Sequence, residues 1–363
     1  MKLTKVFLVI CFLWTELNAQ VVIKSGPPAP EPKITTTELT TKLGQYLEEI
    51  TAKDEFSGVV LLAKGGDPVF HHVYGLASKE YGVANNLETK FNIGSIDKIF
   101  TKIAIGQLLE SGKIGSVDDK LEKYLPNYPN HEVAGKVTLR QILNMQSGIG
   151  DFFGPAFAKS AKDQYRTIAE YFPLFANEAL AFEPGTKRQY SNGGYIVLGA
   201  VIEKVSGMSY YDYVRENIFK PLGMENTDFY EADVPTANLA SGYTRDQEQP
   251  TAPRHNNIYT RPARGSSAGG GYSTTGDLLK FANAIGARKI KVPIFEEGVP
   301  KPPNALFGMM RGVGVGGGAP GLNAALETAL PGGYTIVVLS NYDPPTAEGV
   351  AEKIRGWMGL QDN

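Results

Sequence analysis

Two short constellations in the 363-residue chain carry side chains able to do covalent chemistry. The first is Ser95-Ile96-Asp97-Lys98. A serine hydroxyl at neutral pH needs a base, and a lysine three residues on in a helix shares its face and loses its proton readily when desolvated. Gly94 precedes, and Ile96, Ile99, Ile103 and Leu108 follow, which predicts a buried helix opening at Ser95 and stopping at Gly112. A helix start also leaves backbone N–H groups free, Ser95's own among them, to hold an oxyanion. On these residues alone, an N-cap serine with a solvated lysine is an equal alternative. The second constellation, Tyr190-Ser191-Asn192, precedes a helix predicted over residues 195–205. A tyrosine near an ammonium is expected to drop its pKa and relay protons, while an asparagine amide can hold a substrate carbonyl and the lysine. Tyr128-Pro129-Asn130 repeats that spacing, but its proline-rich setting predicts a surface turn.

Rival motifs lack their context. Gly265-Ser-Ser267-Ala-Gly269 spells a nucleophile elbow, yet no hydrophobic strand leads into it and no histidine follows His255, so it reads as a glycine-rich loop. Gly312-Val-Gly314-Val-Gly-Gly317 spells a dinucleotide fingerprint but runs into Ala319-Pro320-Gly321 where a helix should open. Those glycines read as strand positions that admit a ligand or another backbone. His71 and His72 fall on opposite faces of one strand, and His131 and His255 are isolated, so neither a metal nor a cofactor is expected.

The elements that must position these residues come from both ends of the chain. Leu39, Leu43, Leu47 and Ile50 predict a first helix; residues 58–63 and 69–74 flank Gly65-Gly66-Asp67-Pro68 as a hairpin. Residues 322–330 and 334–341 flank Pro331-Gly332-Gly333 as a second hairpin, and Ala347, Val350, Ile354 and Trp357 space out a last helix. Terminal strands must pair to bury their faces, so the expected fold is α/β (α+β): an antiparallel sheet from both ends, flanked by helices, around a helical insertion. The divisions expected are a signal peptide at 1–19, a proline-rich tether at 20–35, an α/β domain at 36–112 and 251–363, and a helical insertion at 113–250.

Lys2 and Lys5 followed by an apolar run to Trp14 and a small Ala19 read as a secretory signal, so the protein is expected to be exported, periplasmic or secreted, with no membrane span once the signal is cleaved. The only cysteine, Cys11, lies in that segment, which leaves no disulfide or thiol nucleophile in the mature chain. A net charge of -2 offers no basic field for nucleic acid. The expected partner is a small-molecule or short-peptide substrate.

Together the residues resemble the serine β-lactamase and penicillin-binding-protein superfamily, in the class C-like branch that also holds D-amino-acid peptidases and carboxylesterases. Phe56-Ser-Gly-Val-Val60, Phe91-Asn-Ile-Gly-Ser95, Phe182-Glu-Pro-Gly185, Tyr190-Ser-Asn-Gly-Gly-Tyr195, Pro221-Leu-Gly-Met224 and Gly269-Gly-Gly-Tyr-Ser273 fall in that family's order. The resemblance implies Ser95 as the acylated nucleophile, Lys98 and Tyr190 sharing the proton transfer, and Asn192 orienting substrate. It also implies an oxyanion donor at Gly318, beside Gly317, on the strand of the third family motif. Where relatives carry Lys or His, followed by one residue and Gly, this chain has Val315-Gly316-Gly317-Gly318. The implied activity is hydrolysis of an ester, amide or β-lactam carbonyl, with neutral esters favoured over carboxylated substrates. The alternative is a catalytically impaired relative that binds a peptide, cell-wall fragment or partner protein. Met145, where relatives often have histidine, is expected to pack, and a shortened 291–310 stretch to leave the rim of the cleft open.

Overall fold

The computed structural model describes residues 32–246, 251–293 and 314–360. The expected signal peptide, most of the tether and most of the 291–310 stretch lie outside the described residues. Helix α1 (Thr36–Ala52) opens with a reciprocal cap: the Glu38 N–H donates to Thr35 Oγ1 while the Glu38 carboxylate accepts from the Thr35 N–H. Its stripe of Leu39, Leu43, Leu47 and Ile50 is buried, as the spacing predicts. Strands β1 (Gly58–Lys64) and β2 (Asp67–Tyr74) form the first hairpin around Gly65 and Gly66, both at positive φ.

Further along are α2 (Lys98–Glu110), α3 (Asn192–Ser206), α4 (Thr275–Gly286), β3 (Gly314–Ala319), β4 (Leu322–Leu330), β5 (Tyr334–Ser340) and α5 (Thr346–Met358). Strands from the two chain ends join in one antiparallel sheet of order β2-β1-β5-β4-β3, with Val60 opposite Val338 at its centre. Between α2 and α3 the chain is a series of short helices and turns.

Each central strand feeds two cores because its side chains alternate. Val59 and Leu61 of β1 with Val337 and Leu339 of β5 face the larger core, shared with Phe100 and Ile103 of α2 and Ile196 and Val197 of α3. Val60, Leu62, Ile336 and Val338 face the other way, onto the buried stripes of α1 and α5. Burying each such side chain contributes roughly 1.5–3 kcal/mol. The larger core therefore braces the helix that begins at Lys98, and the smaller one holds the sheet from behind.

One expectation fails. Tyr128-Pro129-Asn130 is not a surface turn: Tyr128 is only 3% exposed, stacked edge-on to Phe172, and Asn130 caps the next short helix by accepting from the Val133 N–H. Proline and polar neighbours marked a chain reversal correctly, but the aromatic ring between them turns inward.

Candidate active site

Ser95 is not on the α-helix itself. It sits in a 3₁₀ turn, Gly94–Asp97, that leads directly into α2, so Lys98 is the first residue of the helix proper. The turn is set by Gly94, whose φ of 51° is unfavourable for other residues, and by Asn92, whose Oδ1 accepts the Gly94 N–H at 2.9 Å. A methyl on Gly94 would also lie 3.1 Å from the Gly318 nitrogen, so a larger residue would press on the Gly317–Gly318 backbone.

The Lys98 ammonium end reaches three oxygens. It donates to Ser95 Oγ at 3.0 Å, to Asn192 Oδ1 at 2.8 Å and to the Ala268 carbonyl in a short contact. The Tyr190 and Tyr195 rings lie 4.7 and 5.4 Å from its nitrogen. Lys98 is 7% exposed, and burial pushes its pKa down to about 7, against the raising pull of Asp151 and Asp97. Tyr190 Oη meets Ser95 Oγ at 2.5 Å. Its pKa moves upward, contrary to the sequence expectation: although the residue is 52% exposed, desolvation of its phenol in the cleft outweighs the hydrogen bond from Ser95, and Asp151 adds to the rise. A lysine close to half neutral supplies little positive charge to lower a neighbouring phenol.

The Tyr190–Asn192 segment is held from the helical side. Gln189 N–H donates to the Met145 carbonyl at 2.8 Å, and Ser191 N–H to Met145 Sδ at 3.4 Å. Met145 packs as expected, and holds this segment as well. Ser191 caps α3 through the Gly194 N–H at 2.9 Å, leaving Asn192 as its first residue. Asp151 Oδ2 accepts both the backbone and side-chain N–H of Asn192 at 2.9 Å, which turns Asn192 Oδ1 toward Lys98.

β3 closes the opposite side. Positions 315 and 317 share the face toward the nucleophile turn, where Val315 packs against the larger core. A methyl on Gly317 would lie 2.1 Å from the Ile93 carbonyl and 2.9 Å from the Ser95 nitrogen. The backbone nitrogens of Ser95 and Gly318 thus come together around glycine alone. Ser95, Lys98, Tyr190, Asn192 and Gly318 line one cleft, while Gly317 packs against the Ile93–Ser95 backbone beside it.

Sequence reasoning missed Asp151, the Ala268 carbonyl and Asp97. Asp151 acts across 41 residues of chain, and no spacing rule reports such a bond. The Ala268 carbonyl sits in the segment correctly read as a glycine-rich loop, where only a backbone atom is used.

Residues 43–357 match the family model described as Beta-lactamase. Penicillin-binding protein 4* of Bacillus subtilis (strain 168) is 35% identical over 214 residues, which cover 58% of this chain and 46% of that protein. Teichoic acid D-alanine hydrolase of Staphylococcus aureus is 30% identical over 202 residues, covering 56% of this chain and 47% of that protein. Each of these matches spans about half the length of the curated relative. The crystal structure of a penicillin-binding protein from Bacillus halodurans superposes with a TM-score of 0.75 at 28% identity, over 85% of this chain and 99% of that one. With this sheet, this cleft and a match over nearly all the described residues, the chain belongs to the β-lactamase family.

Proposed function

We propose that the protein is an exported hydrolase that cleaves an ester, amide or β-lactam carbonyl of a small molecule or short peptide through an acyl-enzyme on Ser95. The observation that carries this reading is the Lys98–Ser95–Tyr190 contact set, at 3.0 and 2.5 Å. Asn192 Oδ1 and the Ala268 carbonyl can only accept, so they take two Lys98 hydrogens. In the neutral amine the remaining position is a lone pair aimed at the Ser95 hydroxyl, which is what a general base requires.

Lys98 takes the Ser95 proton as Oγ attacks the carbonyl carbon. The N–H groups of Ser95 and Gly318 hold the oxyanion, and Tyr190, a phenol with a raised pKa, passes a proton to the leaving group. Water then attacks the ester and releases the acid, the same groups running in reverse. Asn192 orients the substrate with its remaining amide hydrogen. Val315 puts no cation beside the oxyanion site, which favours neutral esters over substrates carrying a carboxylate. Two relatives whose printed names refer to penicillin binding and to D-alanine on teichoic acid support a cell-envelope substrate. Among the described residues no helix is long and apolar enough to cross a membrane.

The test is initial rates on a chromogenic cephalosporin and a short-chain p-nitrophenyl ester, with Ser95→Ala beside the protein. Turnover of either substrate that Ser95→Ala abolishes supports the reading, and Tyr190→Phe should slow it about 10²- to 10⁴-fold. If both proteins are equally inert on both substrates, the hydrolase reading fails and the binding-only alternative takes its place. Export predicts that mature protein recovered outside the cytoplasm begins at Gln20.

A further inference from the structure

Asp97 lies between the nucleophile and its base, is 1% exposed, and has no place in the acyl-transfer steps above. Its Oδ2 accepts the Gly271 N–H at 2.6 Å, and its Oδ1 has no hydrogen-bond partner. A methyl at position 271 would lie 2.8 and 2.9 Å from the two carboxylate oxygens, so any larger residue there must push the Asp97 side chain aside. The same glycine run is bound to the nucleophile turn on its other side. Ile93 N–H donates to the Gly271 carbonyl at 2.9 Å, Gly270 N–H to the Gly94 carbonyl at 3.3 Å, and Asn92 Nδ2 to the Gly270 carbonyl at 3.2 Å. The run begins one residue after Ala268, whose carbonyl receives the Lys98 N–H.

A clamp on one backbone N–H does not need a carboxylate. A serine or threonine hydroxyl would accept the same bond at far lower cost than a buried, half-satisfied anion. What the carboxylate adds is charge, and the cation beside it is Lys98. Around Lys98 the other ionisable groups are Asp151 from the 148–154 loop, Tyr190, and Tyr195 from α3; around Asp97 there is also Tyr210, hydrogen-bonded to Thr101 of α2.

We propose that Asp97 is a positioning residue for the nucleophile's base: its carboxylate locks the Gly269–Gly271 run, and with it the Ala268 carbonyl, onto the Ser95–Lys98 turn, and balances the charge of Lys98. This rests on the hydrolase reading. Burial raises the Asp97 carboxyl and lowers the Lys98 amine while each favours the other's charged form, so the two neighbours titrate as a coupled pair.

The experiment is the rate of covalent labelling of Ser95 by a fluorophosphonate across about pH 5 to 9, together with thermal melting. In the wild type, labelling rises through a midpoint near 7, where Lys98 loses its proton. Asp97→Asn keeps an acceptor for the Gly271 N–H and removes the charge. The ammonium is then less favoured, and the midpoint falls by about half a pH unit or more while the melting temperature holds. Gly271→Ala does the reverse: its methyl displaces the carboxylate from the clamp but leaves the charge, so labelling slows about tenfold or more.

An unchanged midpoint in Asp97→Asn overturns the charge role, and wild-type labelling in Gly271→Ala overturns the clamp. If Asp97→Asn does not fold, Gly271→Ala still decides the clamp. Absence of labelling in the wild type is a different failure, that of the hydrolase reading itself.

Discussion

β5 and β3 lie one strand apart in the same sheet and are built by opposite means. All seven residues of β5, Tyr334-Thr-Ile-Val-Val-Leu-Ser340, are buried, and they hold the sheet by filling the two cores on its faces. β3, Gly314-Val-Gly-Gly-Gly-Ala319, has almost no side chain to bury. It is held by its ladder to β4 and by backbone packed against backbone at Ile93–Ser95. A central strand stabilises through what its side chains displace; the strand at the site serves through what its missing side chains allow to approach.

That contrast can be broken at each strand. Gly317→Val puts a side chain where a single methyl already reaches 2.1 Å from the Ile93 carbonyl, so it should push Ser95 and Gly318 apart. We expect turnover to fall about 10²- to 10³-fold, as for loss of an oxyanion donor, while the backbone shift costs about 1–3 kcal/mol of stability. A matching collapse of melting temperature would make β3 a structural strand like β5. Ile336→Ala, on the face away from the cleft, should remove ~2–5 kcal/mol of stability, read by denaturant unfolding, and leave kcat of the folded protein intact. A drop in kcat there would show that the rear core also tunes the site. The smallest effect is expected from Val315→Lys, which restores a cation on the Gly317 face. The ratio of rates on carboxylated and neutral substrates should rise about tenfold, the scale of one charge-assisted hydrogen bond.

The same contrast explains what the sequence revealed. α1, both terminal hairpins, α3 and α5 were legible because apolar periodicity and glycine turns report burial directly, and the pairing of the two chain ends followed from it. The spacing of Ser95 and Lys98 and of Tyr190 and Asn192 points to one cleft, and glycines at 314, 316 and 317 mark strand positions that admit a ligand or another backbone, as β3 does at Gly317. Interactions made by backbone atoms or across long loops left no such trace. The Ala268 carbonyl on Lys98, Asp151 on Asn192 and the inward turn of Tyr128 each depend on where a loop returns in space. The direction of the Tyr190 shift was missed for a related reason: spacing suggests a neighbouring charge but says nothing of how far burial has already neutralised it.

The position of β3 at the end of the strand order bears on how the protein avoids sticking to itself. An edge strand offers an open row of N–H and C=O groups that can recruit another chain, and a glycine-rich one has no bulky side chains to discourage this. Here, among the described residues, the nucleophile turn packs on one face of that strand at Gly317, so a second chain approaching this border meets the Ile93–Ser95 backbone beside it. At the opposite border β2 begins Asp67-Pro68, a charge and a residue with no N–H to give.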